Sequence, residues 1–177
     1  MYSMRLRISI LLICLLASFQ LAAQETEISF KIKNAGVFVD GTFDSIRVIQ
    51  NFNPQNLASA QFEAVIPIST IDTGIKARDR HLLKEKYFDV ENYPEITFRS
   101  SEVKRAEGGY QLKGSLTIKE TTLPVSIDFK LEEIEGTPYY MGSLELDRRD
   151  YGVGKNHLIL GDMVRISIKV PAKNPGI

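Results

Sequence analysis

The sequence predicts an all-β chain: a single antiparallel barrel of about eight strands, interrupted by a short helical insertion around residues 73–94. Three observations predict it. Apolar residues recur at every second position in eight separate segments, the spacing of half-buried strands. Short turn signals separate several of these segments, so neighbouring strands run antiparallel. No strand–helix–strand rhythm occurs, so a parallel sheet is excluded. Half-buried antiparallel strands of this number close into a barrel or pack as a sandwich.

The elements follow in order. Ile28, Phe30 and Ile32 alternate with Ser29 and Lys31, and Val37, Val39, Gly41 and Phe43 with Phe38, Asp40 and Thr42. Phe62, Ala64, Ile66 and Ile68 share one face, as do Ile96 and Phe98. Leu112, Gly114, Leu116 and Ile118 form the next apolar face, followed by Leu123, Val125, Ile127, Phe129 and Leu131. Tyr140, Gly142, Leu144 and Leu146, then Val164, Ile166, Ile168 and Val170, complete the set. Asn34-Ala35-Gly36, Gly108-Gly109 and Gly136-Thr137-Pro138 mark turns. Residues 73–94 lack the alternation. Asp79 is of N-cap type and precedes good helix formers, so a short helix is expected there, with Leu82 or Leu83 and Phe88 tucked onto the barrel.

The composition, 44% hydrophobic and 25% charged, excludes disorder and a multi-span membrane protein. The 22 basic and 22 acidic residues cancel and are scattered, which offers no basic patch for nucleic acid. The N-terminus reads as a signal peptide over residues 1–23. Arg5 and Arg7 precede an apolar run from Ile8 to Phe19, too short to span a bilayer comfortably, and Ala22-Ala23 supplies a cleavage site before Gln24. Leu21 departs from the cleavage pattern, and an uncleaved anchor is the alternative. Cleavage leaves residues 24–177 as one domain without a transmembrane segment, periplasmic or secreted. It removes two cations and no acid, so the net charge becomes −2. It also removes Cys14, the only cysteine, and with it disulfide, thiolate and cysteine–metal chemistry.

Motifs for catalysis and cofactors are sparse. His81 and His157 are far apart, and no nucleophile-elbow pattern surrounds any serine. His81 and Asp79 share one short helix without a third metal ligand, so no metal site is assigned. Gly152-Val153-Gly154 sits in a polar turn rather than between a strand and a helix, and no cofactor is expected. The apolar inner face remains. An eight-stranded barrel is either filled by its own side chains or holds one small ligand. Gly41, Gly114 and Gly142 fall on that face, and the chain has no Trp to plug a barrel. Both features favour a cavity.

Several ordered motifs carry a resemblance. They are Ile71-Asp72-Thr73-Gly74, then Lys76-Ala77-Arg78-Asp79-Arg80-His81-Leu82, Tyr87-Phe88-Asp89-Val90, and Tyr93-Pro94-Glu95-Ile96-Thr97-Phe98-Arg99-Ser100. The stretches NAGVFVDGTF from Asn34, YQLKGSLTIKETTLPV from Tyr110, Arg149-Asp150-Tyr151-Gly152, and Asp162 to Val170 agree with them. Together they resemble the YceI-like family of exported, lipocalin-like, polyisoprenoid-binding barrels across nearly all of residues 24–177. The resemblance implies an extended lipid, a prenyl or acyl chain, along the barrel axis. The alternation then names Phe30, Val39, Phe62, Ile66, Phe98, Leu116, Ile127, Phe129, Leu144 and Ile166 as wall positions. Arg78, Asp79 and His81 match the family's Arg-Asp-x-His-Leu stretch; they either meet a polar head group at the mouth or pin the short helix. Asn34 stands where many members carry a histidine, and Tyr151 replaces a phenylalanine. The expected function is an extracytoplasmic lipid carrier or store rather than an enzyme. A self-filled structural barrel, and a lipid-modifying enzyme using His81 and Asp79, are the alternatives. An exposed barrel rim could also pair two copies.

Overall fold

A computed structural model describes residues 25–154 and 158–173. The expected signal segment with Cys14, its cleavage site, and His157 lie outside the described residues. Among the described residues nine strands form one antiparallel sheet: β1 (Glu27–Asn34), β2 (Val37–Phe43), β3 (Arg47–Asn51), β4 (Gln61–Pro67), β5 (Glu95–Ala106), β6 (Gly109–Ile118), β7 (Thr121–Ile134), β8 (Thr137–Asp147) and β9 (Leu160–Pro171). One helix, α1 (Lys76–Leu82), lies between β4 and β5. The strand order is β2-β1-β9-β8-β7-β6-β5-β4-β3, so β2 and β3, consecutive in the chain, form the two edges of the curled sheet. The seam is tied by a backbone pair beyond β4: Thr42 N–H donates to the Asp72 carbonyl at 2.9 Å, and Asp72 N–H to the Thr42 carbonyl at 3.0 Å.

The eight expected strands are all present, and β3 is added to them. Its sequence, RVIQN, hides the alternation: Ile49 faces solvent while Gln50 faces in. The reason is local. Gln50 Nε2 donates to the Pro171 carbonyl at 2.8 Å, and Gln50 Oε1 accepts from Lys173 N–H, so this inward position meets the backbone at the end of β9 rather than a core.

The helical insertion forms, but its start is earlier than expected. Helix α1 begins at Lys76 with Ile75 at the N-cap, and Asp79 lies inside the first turn. Asp79 is therefore not a cap. Its Oδ1 accepts from Thr73 N–H at 2.9 Å and from the Thr73 hydroxyl at 2.6 Å, tying the preceding loop to the helix. Leu82, Leu83 and Phe88 pack on the barrel core as expected, joined by Tyr87 and Val90.

The antiparallel connections alternate between the barrel's two ends. The β5–β6 and β7–β8 turns lie at one end, and the β1–β2 and β6–β7 turns at the other. The first end is sealed. Phe52, which follows β3, is only 4% exposed and lies 4.9 Å from the Tyr110 ring and 5.5 Å from both Phe129 and Tyr140. Phe62 stands perpendicular to Tyr140 at 5.4 Å. These edge-to-face contacts add to simple burial. The expectation that a chain without Trp has nothing to plug the barrel is thus corrected: five smaller rings make the floor.

Candidate functional site

Above this floor the sheet encloses an apolar cavity of about 250 Å³. All ten wall residues named from the alternation line it: Phe30, Val39, Phe62, Ile66, Phe98, Leu116, Ile127, Phe129, Leu144 and Ile166. They divide into two groups. Phe62, Ile66, Phe98, Leu116, Ile127 and Phe129, on β4–β7, are buried against one another. Phe30, Val39, Leu144 and Ile166, on β1, β2, β8 and β9, point inward yet are only half-buried. The ladder places a second such row beside them: Val39 opposite Ile32, Ile32 opposite Val164, and Val164 opposite Leu146. All four of these are half-buried and line the cavity. An inward apolar side chain in a filled core is fully covered. Here one wall of the barrel faces open space.

The inward glycines have a different role from the one expected. Gly41 and Gly114 do not line the cavity, whereas Gly142 does. A Cβ at Gly41 would lie 2.3 Å from the Phe30 ring, and one at Gly114 2.5 Å from both the Phe98 ring and the Arg99 carbonyl. Gly41 is the cross-strand partner of Phe30, and Gly142 that of Phe129. Gly41 and Gly114 each give a neighbouring phenylalanine ring room to lie flat on the sheet, whereas a Cβ at Gly142 would meet the Ile127 side chain at 3.2 Å and no ring. The open space is a consequence of rings held against the wall.

At the open end the cavity is bordered by Asn34 and Leu160, which are paired across β1 and β9, and by Thr73, Arg78, Leu82, Tyr87 and Phe88 of the insertion. Arg78 lines the cavity with Nε donating to the Thr73 hydroxyl at 2.8 Å and Nη2 to the Thr73 carbonyl at 2.7 Å. Asp79 is buried beneath and does not line it. The hydrogen bond from the Thr73 side chain holds the Asp79 carboxyl below the ordinary carboxylate range, against the opposing effect of burial. His81 is exposed, rests edge-on against Tyr87 at 5.1 Å, and does not line the cavity. The structure thus gathers Thr73, Arg78 and Asp79 into one cluster and leaves His81 outside it. Among the described residues no three His, Cys, Asp or Glu side chains gather in a way that could hold a metal ion.

Arg148 and Tyr140 are among the cavity residues with polar atoms that sequence reasoning missed, beside Glu63, Thr73 and Tyr87. Arg148 is 4% exposed; its Nε donates to the Gly161 carbonyl, Nη1 to the Val153 carbonyl, and Nη2 pairs with Asp162 at 2.8 Å. It ties the 148–151 turn to the start of β9. Beside Arg149, which pairs with Asp147 on the surface, nothing in the sequence distinguishes the buried arginine from the exposed one. Tyr140 reads as an ordinary strand aromatic, yet burial pushes its hydroxyl up to about 12.

Comparison with known proteins follows from this geometry. The model of the YceI-like domain matches residues 19–172. The chain belongs to the YceI-like family. A UPF0312 protein of Yersinia enterocolitica is 34% identical over 109 residues, 61% of this chain and 57% of the relative; the chain thus spans little more than half the length of the curated relatives it matches. Among solved structures, BcnA of Burkholderia cenocepacia superposes with a TM-score of 0.78 at 26% identity, covering 84% of this chain and 96% of BcnA. A Campylobacter jejuni YceI protein gives 0.67 at 22% identity over 76% of this chain and 84% of the other. A polyisoprenoid-binding domain of Saccharophagus degradans, implicated in plant cell wall breakdown, gives 0.60 at 14% identity, covering 86% of this chain and 97% of that domain. The last two likenesses concern the fold.

Proposed function

We propose that this protein binds an isoprenoid-like or acyl-chain lipid in its barrel and serves as an extracytoplasmic carrier or store, without chemistry on the ligand. The observation that carries the reading is the pair of half-buried apolar rows on β1, β2, β8 and β9, facing about 250 Å³ of space. That volume exceeds the roughly 150 Å³ at which an apolar protein cavity stays dry and accepts benzene. It is smaller than the roughly 300–1,000 Å³ of drug-sized pockets. A single thin chain suits it better than a bulky ring system. Family membership and the polyisoprenoid-binding neighbour support the ligand class. Arg78 offers Nη1, which has no hydrogen-bond partner among the described residues, to a polar head at the mouth. The apolar run before Gln24 supports export.

The test is native purification of the exported protein, denaturing extraction and mass spectrometry. One dominant lipid near one-to-one stoichiometry is expected. Protein that emerges empty, and that also refuses added prenyl and acyl chains, sinks the reading. The informative variant is Ile166→Asp, because Ile166 is half-buried and faces the space. It should fold and lose the lipid. Phe98→Asp or Leu116→Asp would place a charge in packed core, where loss of folding would mask loss of binding.

A further inference from the structure

Seven large apolar side chains are strongly exposed among the described residues, and four of them share one place. Val37 and Phe38 follow the β1–β2 turn; Leu158 and Ile159 precede β9. The two segments are joined by Ala35 N–H donating to the Ile159 carbonyl at 2.7 Å. Phe38 is 53% exposed, and Leu158 is completely so. Their neighbours Asn34 and Leu160 line the cavity, so the patch forms part of the rim at the mouth.

On the insertion side of this mouth the exposed charge is mostly positive. Between Thr73 and Phe88, the part of the insertion that borders the cavity, the chain carries five cations against Asp79 and Glu85. Asp79 is buried and held by Thr73, and Lys76 is taken up by Asp72 and Asp79. Arg80, Lys84 and Lys86 are exposed and form no ion pair among the described residues; the same holds for Lys33 beside the apolar tip. Acidic residues resume at Asp89 and Glu91, past the last insertion residue that borders the cavity.

We propose that the open end of the barrel docks on an anionic lipid bilayer, with Val37, Phe38, Leu158 and Ile159 entering the interface and Arg80, Lys84, Lys86 and Lys33 meeting the phosphates. Apolar insertion and a basic rim are each weak membrane signals, and stable but reversible binding takes both. Docking in this pose puts the mouth against the hydrocarbon, so a chain passes between bilayer and cavity without crossing water.

The experiment is flotation of the mature protein with vesicles of phosphatidylethanolamine containing one-quarter phosphatidylglycerol, against vesicles of phosphatidylcholine. Protein stripped of any bound lipid is used beside untreated protein, which separates docking from filling of the barrel. Both forms should float with the anionic vesicles, weakly with the neutral ones, and less in high salt. Phe38→Asp with Leu158→Asp should lower the partition at least tenfold. Arg80→Gln with Lys84→Gln should lower it roughly fivefold per cation for the anionic vesicles alone. If aspartate at these positions disturbs folding, Phe38→Ser with Ile159→Ser repeats the test. Failure of both forms to float, equal binding to neutral vesicles, or variants that float like the parent overturns the proposal. So does a solution dimer that the rim variants dissociate without any vesicle binding, which would assign the patch to a second copy.

Discussion

The substitution Val164→Phe decides between an open and a filled barrel by the sign of its effect. Val164 lies on β9, a strand flanked on both sides, between Ile32 and Leu146, half-buried and facing the cavity. Empty apolar volume costs about 24 cal/mol per Å³ in proteins whose cores cannot collapse. For 250 Å³ that sets a ceiling of about 6 kcal/mol on what complete filling could recover. One phenyl ring takes a part of it, and cavity-filling changes commonly yield about 0.5–2 kcal/mol. In a barrel of this size each kcal/mol moves the melting temperature by about 2–4 °C. The lipid-free Val164→Phe protein should therefore melt about 1–8 °C above the parent. It should also take up less lipid, because the ring occupies the same space. The assay is a calorimetric melt of delipidated protein, paired with uptake of a fluorescent acyl chain. A drop in stability of about 1–3 kcal/mol is the signature of overpacking. That result, or undiminished uptake, would refute the inference that the half-buried rows face open space.

Three further outcomes follow from the same geometry. Gly114→Ala should destabilise more than Gly41→Ala in urea titrations, by more than about 1 kcal/mol, because the new methyl meets the Arg99 carbonyl at Gly114 but only the swinging end of Phe30 at Gly41; equal costs would show that the backbone contact is not limiting. Phe52→Ala should cost about 3–5 kcal/mol and open the sealed end, read by the urea midpoint and by faster loss of a bound acyl chain; a parent-like midpoint would remove Phe52 from the floor. The depressed carboxyl of Asp79 gives a stabilising contribution that is whole above the unfolded value near 3.9 and is lost as pH falls through the lower folded value. Asp79→Asn should thus be less stable than the parent at neutral pH, with the gap closing below about pH 4; a gap that is constant down to pH 2 would mean that the Thr73 hydrogen bonds do not depend on the charge.

The sheet was legible because its physics is periodic. In a strand with one face in and one face out, side chains alternate whatever lies across the barrel, so the eight alternating segments and ten inward residues could be read locally. Strand β3 could not, because its inward Gln50 meets backbone carbonyl and amide groups from the end of β9, more than 120 residues away. The position of α1 was missed by a few residues for a similar reason. Asp79 is a good cap by type, but Thr73 supplies the donors and the helix begins before it.

The sequence by itself determined the class of strand, the apolar inner face, the broken insertion and the family. Only the tertiary structure decided which inward residues are covered and which face space. That outcome depends on where the rings go. Phe52 swings into one end and closes it, while Gly41 and Gly114 let Phe30 and Phe98 lie against the wall. The same inward pattern with rings projecting toward the axis would give a solid core. Periodicity reports which side a residue faces, and packing alone reports what it meets there.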